Sequence, residues 1–296
     1  MCISCANSDQ APRILKTPRA CGYSPPCIAE LDRAGVLDEA LANGTAVQLM
    51  QMQKIDGTVL ANNDWSLTKN NSPYPYTLMY RLHSKRRADE RVGQHTLADI
   101  MYTHCKRYPG TKVLFDHEVQ SIRQDANSAT VAGKTASGKP FSYSASYVVG
   151  ADGGKSTVRK QLGVTLDGFT WDETYLATNV FYPFEELGYA EANFVVGGGR
   201  DWAIVCRTGD KSAPWRCTYG EVSASEASDE EVYARVPKRL VKFLRGANLE
   251  DAKVDQIARY NVHQRCAKSF KVGRVFLAGD AAHLTQPMYI PFQDGV

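Results

Sequence analysis

The residues Gly150-Ala151-Asp152-Gly153-Gly154-Lys155-Ser156-Thr157-Val158-Arg159 combine a carboxylate, bare backbone and a helix start within ten positions. The apolar run Tyr147-Val148-Val149 feeds into them, and a short helix is expected from Ser156, carrying Arg159 and Leu162. A buried strand ending in Asp-Gly puts a carboxylate and unshielded backbone at the strand's carboxyl end, where open α/β sheets bind ligands. Ser156 can cap the helix, whose free N–H groups suit an anion such as a pyrophosphate. On its own the stretch reads as a nucleotide-contacting turn, with a plain strand–turn–helix as the alternative.

A second segment repeats the design: Gly273-Arg274-Val275-Phe276-Leu277-Ala278-Gly279-Asp280-Ala281-Ala282-His283. Val275 to Ala278 is a short apolar strand, Gly279 allows close backbone approach, and Asp280 stands where the next helix begins. An ionised carboxylate only accepts hydrogen bonds and strengthens each one it takes, so it suits a sugar or ribitol hydroxyl. The plainer role for Asp280 is a helix N-cap.

In this order the two motifs resemble the flavoprotein monooxygenases of the p-hydroxybenzoate hydroxylase type, the single-component aromatic hydroxylases. The resemblance runs from about Pro18 to Pro287 and includes Val262-His263-Gln264-Arg265-Cys266-Ala267, which looks like the lead-in to the Gly-Asp strand. It implies that Asp152, Gly153 and Arg159 lie near the FAD pyrophosphate and the NADPH path, and that Gly279 and Asp280 meet the FAD ribitol. Pro18-Arg19-Ala20, followed by Ile28-Ala29-Glu30-Leu31 and Gly35-Val36-Leu37, looks like the family's loop and helix after its second strand, with Arg19 on the FAD phosphates. Gln94 matches a flavin-contacting Gln or Arg, and Val119 a backbone contact to adenine. Their alternative roles are a helix start and a core strand. Pro287 matches the proline whose carbonyl lies close to the substrate's ring hydroxyl.

The family's opening strand, G-x-G-x-x-G loop and helix have no counterpart in the sequence. Gly197-Gly198-Gly199 fails that spacing, because Trp202 stands where a third glycine belongs, and reads as a hairpin turn. Before Arg19 no apolar run beyond Ile14-Leu15 suggests a buried strand, so the first βαβ unit is expected to be absent. Past Pro287 the glycine-rich loop is also missing. The expectation is a truncated chain, with FAD binding by it alone in question.

The elements that must position these residues follow from hydropathy patterning. The expected fold is mixed α/β (α+β): an incomplete doubly wound FAD-binding domain over 1–48, 92–163 and 271–296, interleaved with a β-sheet substrate domain over 49–91 and 164–270. Alternation at Val47-Gln48-Leu49-Met50-Gln51-Met52 predicts strands, with turns at Asn62-Asn63-Asp64 and Lys69-Asn70-Asn71-Ser72-Pro73. Arg81 to Arg91 reads as a solvated basic loop. Residues 94–107 read as a helix, and 112–149 as a small sheet turned at Gly133 and Ser137-Gly138. Further strands are expected at Thr178–Phe181, Phe194–Val196 and Trp202–Val205. A helix is expected over Glu230–Arg245, with Val232, Val236, Leu240, Val241 and Phe243 on its apolar side. Tyr175, Phe181 and Tyr219 are candidates to face a substrate, with packing as their commoner role.

Bulk properties narrow the class. With 35 Lys and Arg against 32 Asp and Glu over 296 residues, the net charge of +3 argues against a nucleic-acid partner. No run approaches the ~20 apolar residues of a membrane span, and Met1–Asn7 has no signal-peptide pattern. A cytoplasmic location is expected. Among eight cysteines, Cys2 and Cys5 have C-x-x-C spacing with Cys21 and Cys27 following. No second pair completes a zinc site, so free thiols are expected and no metal.

The resemblance implies an FAD-dependent monooxygenase that hydroxylates a small phenolic substrate with NADPH and O2, the cofactor carrying the hard chemistry. Two alternatives remain: another flavin oxidoreductase on the same fold, and a cofactor-less remnant or interaction module. A halogenase is disfavoured, since Trp171 and Trp202 stand alone rather than in a Trp-x-Trp-x-Ile motif.

Overall fold

The computed structural model describes residues 5–14, 22–68, 73–80, 94–198, 201–209, 213–221 and 227–285. It is mixed α/β and falls into two compact units. One comprises residues 1–15, 105–172 and 261–296; the other comprises 16–104 and 173–260. Division by contacts thus places 16–48 with the 173–260 sheet, whereas division by expected role grouped 1–48 with the motif strands.

The chain opens with β1 (Cys5–Ser8) in the first unit. It then builds β2 (Gly22–Tyr23), α1 (Pro25–Arg33), α2 (Leu37–Ala42), β3 (Gly44–Val47), β4 (Leu49–Lys54), β5 (Val59–Asp64), β6 (Thr77–Tyr80) and α3 (Gln94–Cys105). Next come β7 (Thr111–Leu114), β8 (His117–Gln124), β9 (Ala129–Thr135), β10 (Pro140–Ala145), β11 (Val148–Gly150) and α4 (Thr157–Gln161). The long strand β12 (Leu166–Phe181) leads to β13 (Ala192–Val196), β14 (Trp202–Arg207), β15 (Trp215–Glu221), α5 (Asp229–Tyr233) and α6 (Val236–Leu240). A second long strand, β16 (Lys253–Ala267), returns to β17 (Lys271–Val272), β18 (Val275–Leu277) and β19 (His283–Leu284).

In the first unit β11 and β18 pair in parallel, Val148 opposite Val275 and Gly150 opposite Leu277. Val158 of α4, Ala267, Val275, Leu277 and Ala282 form a buried core behind them. The strand β1 lies before Ile14-Leu15, where no apolar run suggested a buried strand; its Asn7 is exposed and its Ser8 half-buried. It runs parallel to β7, Cys5 opposite Thr111 and Ser8 opposite Leu114. Cys-Ala-Asn-Ser carries no strand propensity to detect, and tertiary pairing makes the strand. The Ser8 hydroxyl donates to the His117 carbonyl at 2.8 Å, and the His117 N–H to the Asp9 carbonyl at 2.8 Å.

The strands β8, β9 and β10 form an antiparallel meander. Its second turn falls at Ser137-Gly138 as expected, with Gly138 at φ +81. The first does not fall at Gly133. That turn is Asp125–Ser128, where the Asp125 carboxylate accepts the N–H groups of Asn127 and Ser128 at 2.7 and 2.8 Å. Gly133 is instead inside β9, opposite Val119 at a register shift in β8, where an added Cβ would lie 1.8 Å from the Glu118 carbonyl oxygen.

In the second unit the sheet runs β16-β12-β15-β14-β13-β4-β5. One face buries Leu176, Val195, Ala203, Val205, Cys217 and Tyr219 against Val232, Val236, Leu240 and Phe243. The helix expected over Glu230–Arg245 is broken into α5, α6 and a 3-10 turn at Val241–Phe243. Pro237, which has no N–H to give, sits in the first turn of α6. Val241 leaves the apolar side and is 46% exposed. Asn62–Asp64, expected as a turn, belongs to β5; the reversal comes earlier, at Gly57, whose N–H donates to the Lys54 carbonyl. Gly197 and Gly198 do open the β13–β14 hairpin loop. Most of the turn expected at 69–73 and all of 81–91 lie outside the described residues.

Candidate functional site

Parallel pairing of β11 with β18 puts both motif turns at the carboxyl end of adjacent strands. The Ala278 N–H donates to the Gly150 carbonyl at 2.9 Å, so the ladder continues to the edge of both turns. Gly153 at φ +80 and Gly279 at φ +57 adopt the left-handed backbone that glycine takes without strain, and no atom lies within 4 Å of where either Cβ would be.

Arg159 joins the two turns. It is only 5% exposed, and its guanidinium donates to the Gly154 carbonyl at 2.7 Å and the Ala281 carbonyl at 2.9 Å. The resemblance places it near the cofactor; the geometry gives its side chain the task of tying the Asp-Gly turn to the Gly-Asp turn. That link was missed in the sequence because nothing local relates positions 154, 159 and 281.

Asp152 is committed within its own turn. One carboxylate oxygen accepts the Ser156 hydroxyl at 2.5 Å, and the other accepts the N–H groups of Thr157 and Val158 at 2.6 and 3.1 Å. Ser156 caps α4 as expected, accepting the Arg159 N–H at 2.9 Å. The first three N–H groups of α4 are thereby occupied. The expectation of free N–H groups there for a pyrophosphate is corrected: an Asp four residues before the capping Ser reaches them first.

Asp280 is the opposite case. It is exposed, and among the described residues its carboxylate takes no hydrogen bond or ion pair. It is not the N-cap: that residue is Ala278, without a side-chain cap, leading a 3-10 turn over Gly279–Ala281. A free acceptor therefore stands beside open backbone at Gly279 and Gly153. This donor-poor, acceptor-rich corner fits the hydroxyl-bearing chain of a flavin nucleotide.

No hydrogen bond or ion pair among the described residues joins the other candidates to that corner. Val119 sits half-buried on β8 at the register shift. Gln94 is the first residue of α3, in the second unit, and its side chain lies outside the described part. Arg19 and Pro287 lie outside the described residues. Among the described residues no His, Cys, Asp and Glu group could hold a metal, and Cys27, Cys105, Cys206, Cys217 and Cys266 are free thiols. No helix among them is long and apolar enough to cross a membrane.

Of the aromatic candidates, Tyr219 does not face a substrate. It is fully buried on the helix-covered side, 6.1 Å from Phe243 between ring centres and 5.6 Å under the Arg239 guanidinium, and burial pushes its hydroxyl pKa up. Tyr175 lies on the opposite face, edge-on to Trp202 at 4.8 Å and to Tyr260 at 5.7 Å.

Comparison with known proteins gives a consistent result. A family model described as FAD binding domain matches residues 4–289. Para-nitrophenol 4-monooxygenase from Pseudomonas sp. (strain WBC-3) is 38% identical over 278 residues, covering 94% of this chain and 65% of that protein. The 3-(3-hydroxy-phenyl)propionate/3-hydroxycinnamic acid hydroxylase of Comamonas testosteroni is 28% identical, covering 94% of this chain and 44% of its own length. The chain thus spans about two thirds of the first of these relatives and less than half of the second. The crystal structure of p-nitrophenol 4-monooxygenase PnpA from Pseudomonas putida DLL-E4 superposes with a TM-score of 0.86 at 35% identity, covering 97% of this chain and 68% of that one. The monooxygenase PieE, in complex with FAD and substrate, shares the fold at 18% identity and a TM-score of 0.77.

Proposed function

This chain belongs to the FAD-binding domain family, and on that premise we propose that it serves FAD-dependent monooxygenation of a small phenolic compound. The reductant is a reduced nicotinamide nucleotide, NADPH by the family pattern, and O2 supplies the oxygen. The observation that carries the reading is the exposed Asp280 carboxylate, without a partner among the described residues, at the end of a strand held beside the Asp-Gly turn. The 38% identity to a para-nitrophenol 4-monooxygenase supports a phenol as the substrate class.

Bound FAD supplies the redox chemistry that no protein side chain provides. The chain's own residues do the positioning. Asp280 accepts the hydrogen bond of a ribitol hydroxyl, and Gly279 and Gly153 let the ligand approach the backbone. Arg159 holds both turns in register through the Gly154 and Ala281 carbonyls. Because Asp152 and Ser156 occupy the start of α4, the pyrophosphate is held elsewhere, with Arg19 the residue assigned to it by resemblance. Gln94, Val119 and Pro287 keep their family-implied roles at the flavin ring, the adenine and the substrate hydroxyl.

Flavin content of the purified chain tests this directly. Stoichiometric FAD, bound about ten- to a hundredfold more weakly by Asp280→Ala, is the expected result for one hydrogen bond to a charged acceptor. The next assay is phenol-dependent, oxygen-consuming NADPH oxidation, begun with para-nitrophenol. A colourless protein unaltered by added FAD overturns the reading and leaves a cofactor-less interaction module.

A further inference from the structure

The face of the second unit's sheet turned away from α5 and α6 carries, at its half-exposed end, a carboxylate that the flavin site does not use. In β12, Tyr175 pairs with Gly220 of β15, and Glu173 lies two residues earlier on the same side of the strand. In β14, Trp202 precedes Ala203, which pairs with Tyr219, so Trp202 stands across Gly220 from Tyr175. This face is the reverse of the one buried against α5 and α6. At one end it is covered by Val47 and Met79 of β3 and β6 over Ala192 and Cys206. At the other end Glu173, Phe194, Trp202 and Tyr260 are half-exposed.

Glu173 lies directly over Gly220. A Cβ there would be 1.8 Å from its Oε1, and no other residue type leaves that room. The Trp202 indole N–H donates to the same oxygen at 3.2 Å. Among the described residues this is the carboxylate's one hydrogen-bond donor. Its surroundings are rings: Tyr175 and Trp202 meet edge-on at 4.8 Å, and Phe194 stacks on Trp202 at 6.4 Å. A half-exposed carboxylate with one protein donor keeps lone pairs open to a further donor. Remaining acceptor capacity beside flat apolar walls matches a molecule with a planar ring and one O–H.

We propose that Glu173 recognises the substrate's hydroxyl, its carboxylate accepting the O–H of a neutral phenol whose ring packs against Trp202 and Phe194. This rests on the phenol reading above and adds a residue that selects within that class. An ionised phenolate is repelled by the same carboxylate, and an aryl ether offers it nothing to accept.

The experiment is equilibrium dialysis of the full chain, with and without added FAD, against para-nitrophenol and its O-methyl ether, below the pKa of the phenol. Unaltered protein is expected to bind the phenol about ten- to a hundredfold more tightly than the ether, the size of one hydrogen bond to a charged group. Glu173→Gln keeps an acceptor for the Trp202 N–H and removes the charge, so the preference should fall to within about threefold. Gly220→Ala, which displaces the carboxylate without altering it, should erase the preference independently. Circular dichroism and flavin content verify that each variant is folded. Full preference in Glu173→Gln, or equal binding of both compounds by unaltered protein, overturns the assignment and leaves the hydroxylase reading standing. Failure of unaltered protein to bind either compound removes the phenol reading and the assignment with it.

Discussion

Arg159 shows how little of a residue's role lies in its type. Its position after the Asp-Gly turn suggests a cation for a phosphate, yet both its hydrogen bonds go to carbonyls of its own chain. Its burial at 5% exposure makes the assignment energetically consequential. Arg159→Met leaves the Gly154 and Ala281 carbonyls without a charged donor, at an expected cost of about 2–4 kcal/mol in urea unfolding. Arg159→Lys recovers only part, because one ammonium cannot hold the planar fork that spans two carbonyls. Equal unfolding midpoints for Arg159→Met and the unaltered chain would rule out the bridging role. Asp280 stands at the other extreme: its type and place were legible in the sequence, and the structure adds that nothing in the described chain competes for its carboxylate.

At the scale of elements, legibility followed the strength of the local signal. Apolar runs at Val148–Val149 and Val275–Leu277 announced β11 and β18, because parallel strands buried on both faces read as continuous hydrophobic stretches. The β1 strand was invisible, since Cys5–Ser8 owes its strand form to pairing with β7. Glycine was ambiguous in the same way. At Gly138 it turns the chain, while at Gly133 it admits the Glu118 carbonyl into the space of a missing side chain. Gly133→Ala must therefore part β8 from β9 next to Val119, costing about 3 kcal/mol or more by overpacking. Gly138→Ala acts only through its left-handed backbone and costs about 1 kcal/mol. Denaturant midpoints of the two variants measure the difference, and equal losses would rule out overpacking at Gly133.

On the scale of the whole molecule, FAD binding and folding are linked, because residues far apart in the chain meet only in the folded first unit. Positions 150–159 and 273–283 become neighbours through the β11–β18 ladder and the Arg159 bridge. An unfolded chain has no such corner and cannot bind the cofactor with comparable affinity. Free FAD at about a hundred times its dissociation constant then stabilises the folded state by about 2.7 kcal/mol, and the gain grows with the logarithm of concentration. The expected readout is a melting temperature that climbs with each tenfold addition of FAD, and that climbs much less in Asp280→Ala, whose own stability changes little because the carboxylate has no partner among the described residues. Glu173→Gln should follow the unaltered chain in this titration, since its carboxylate belongs to the other unit's sheet. A melting temperature indifferent to FAD in all three proteins would separate the family's fold from the family's cofactor. It would mean that the paired turns persist in this chain as architecture alone.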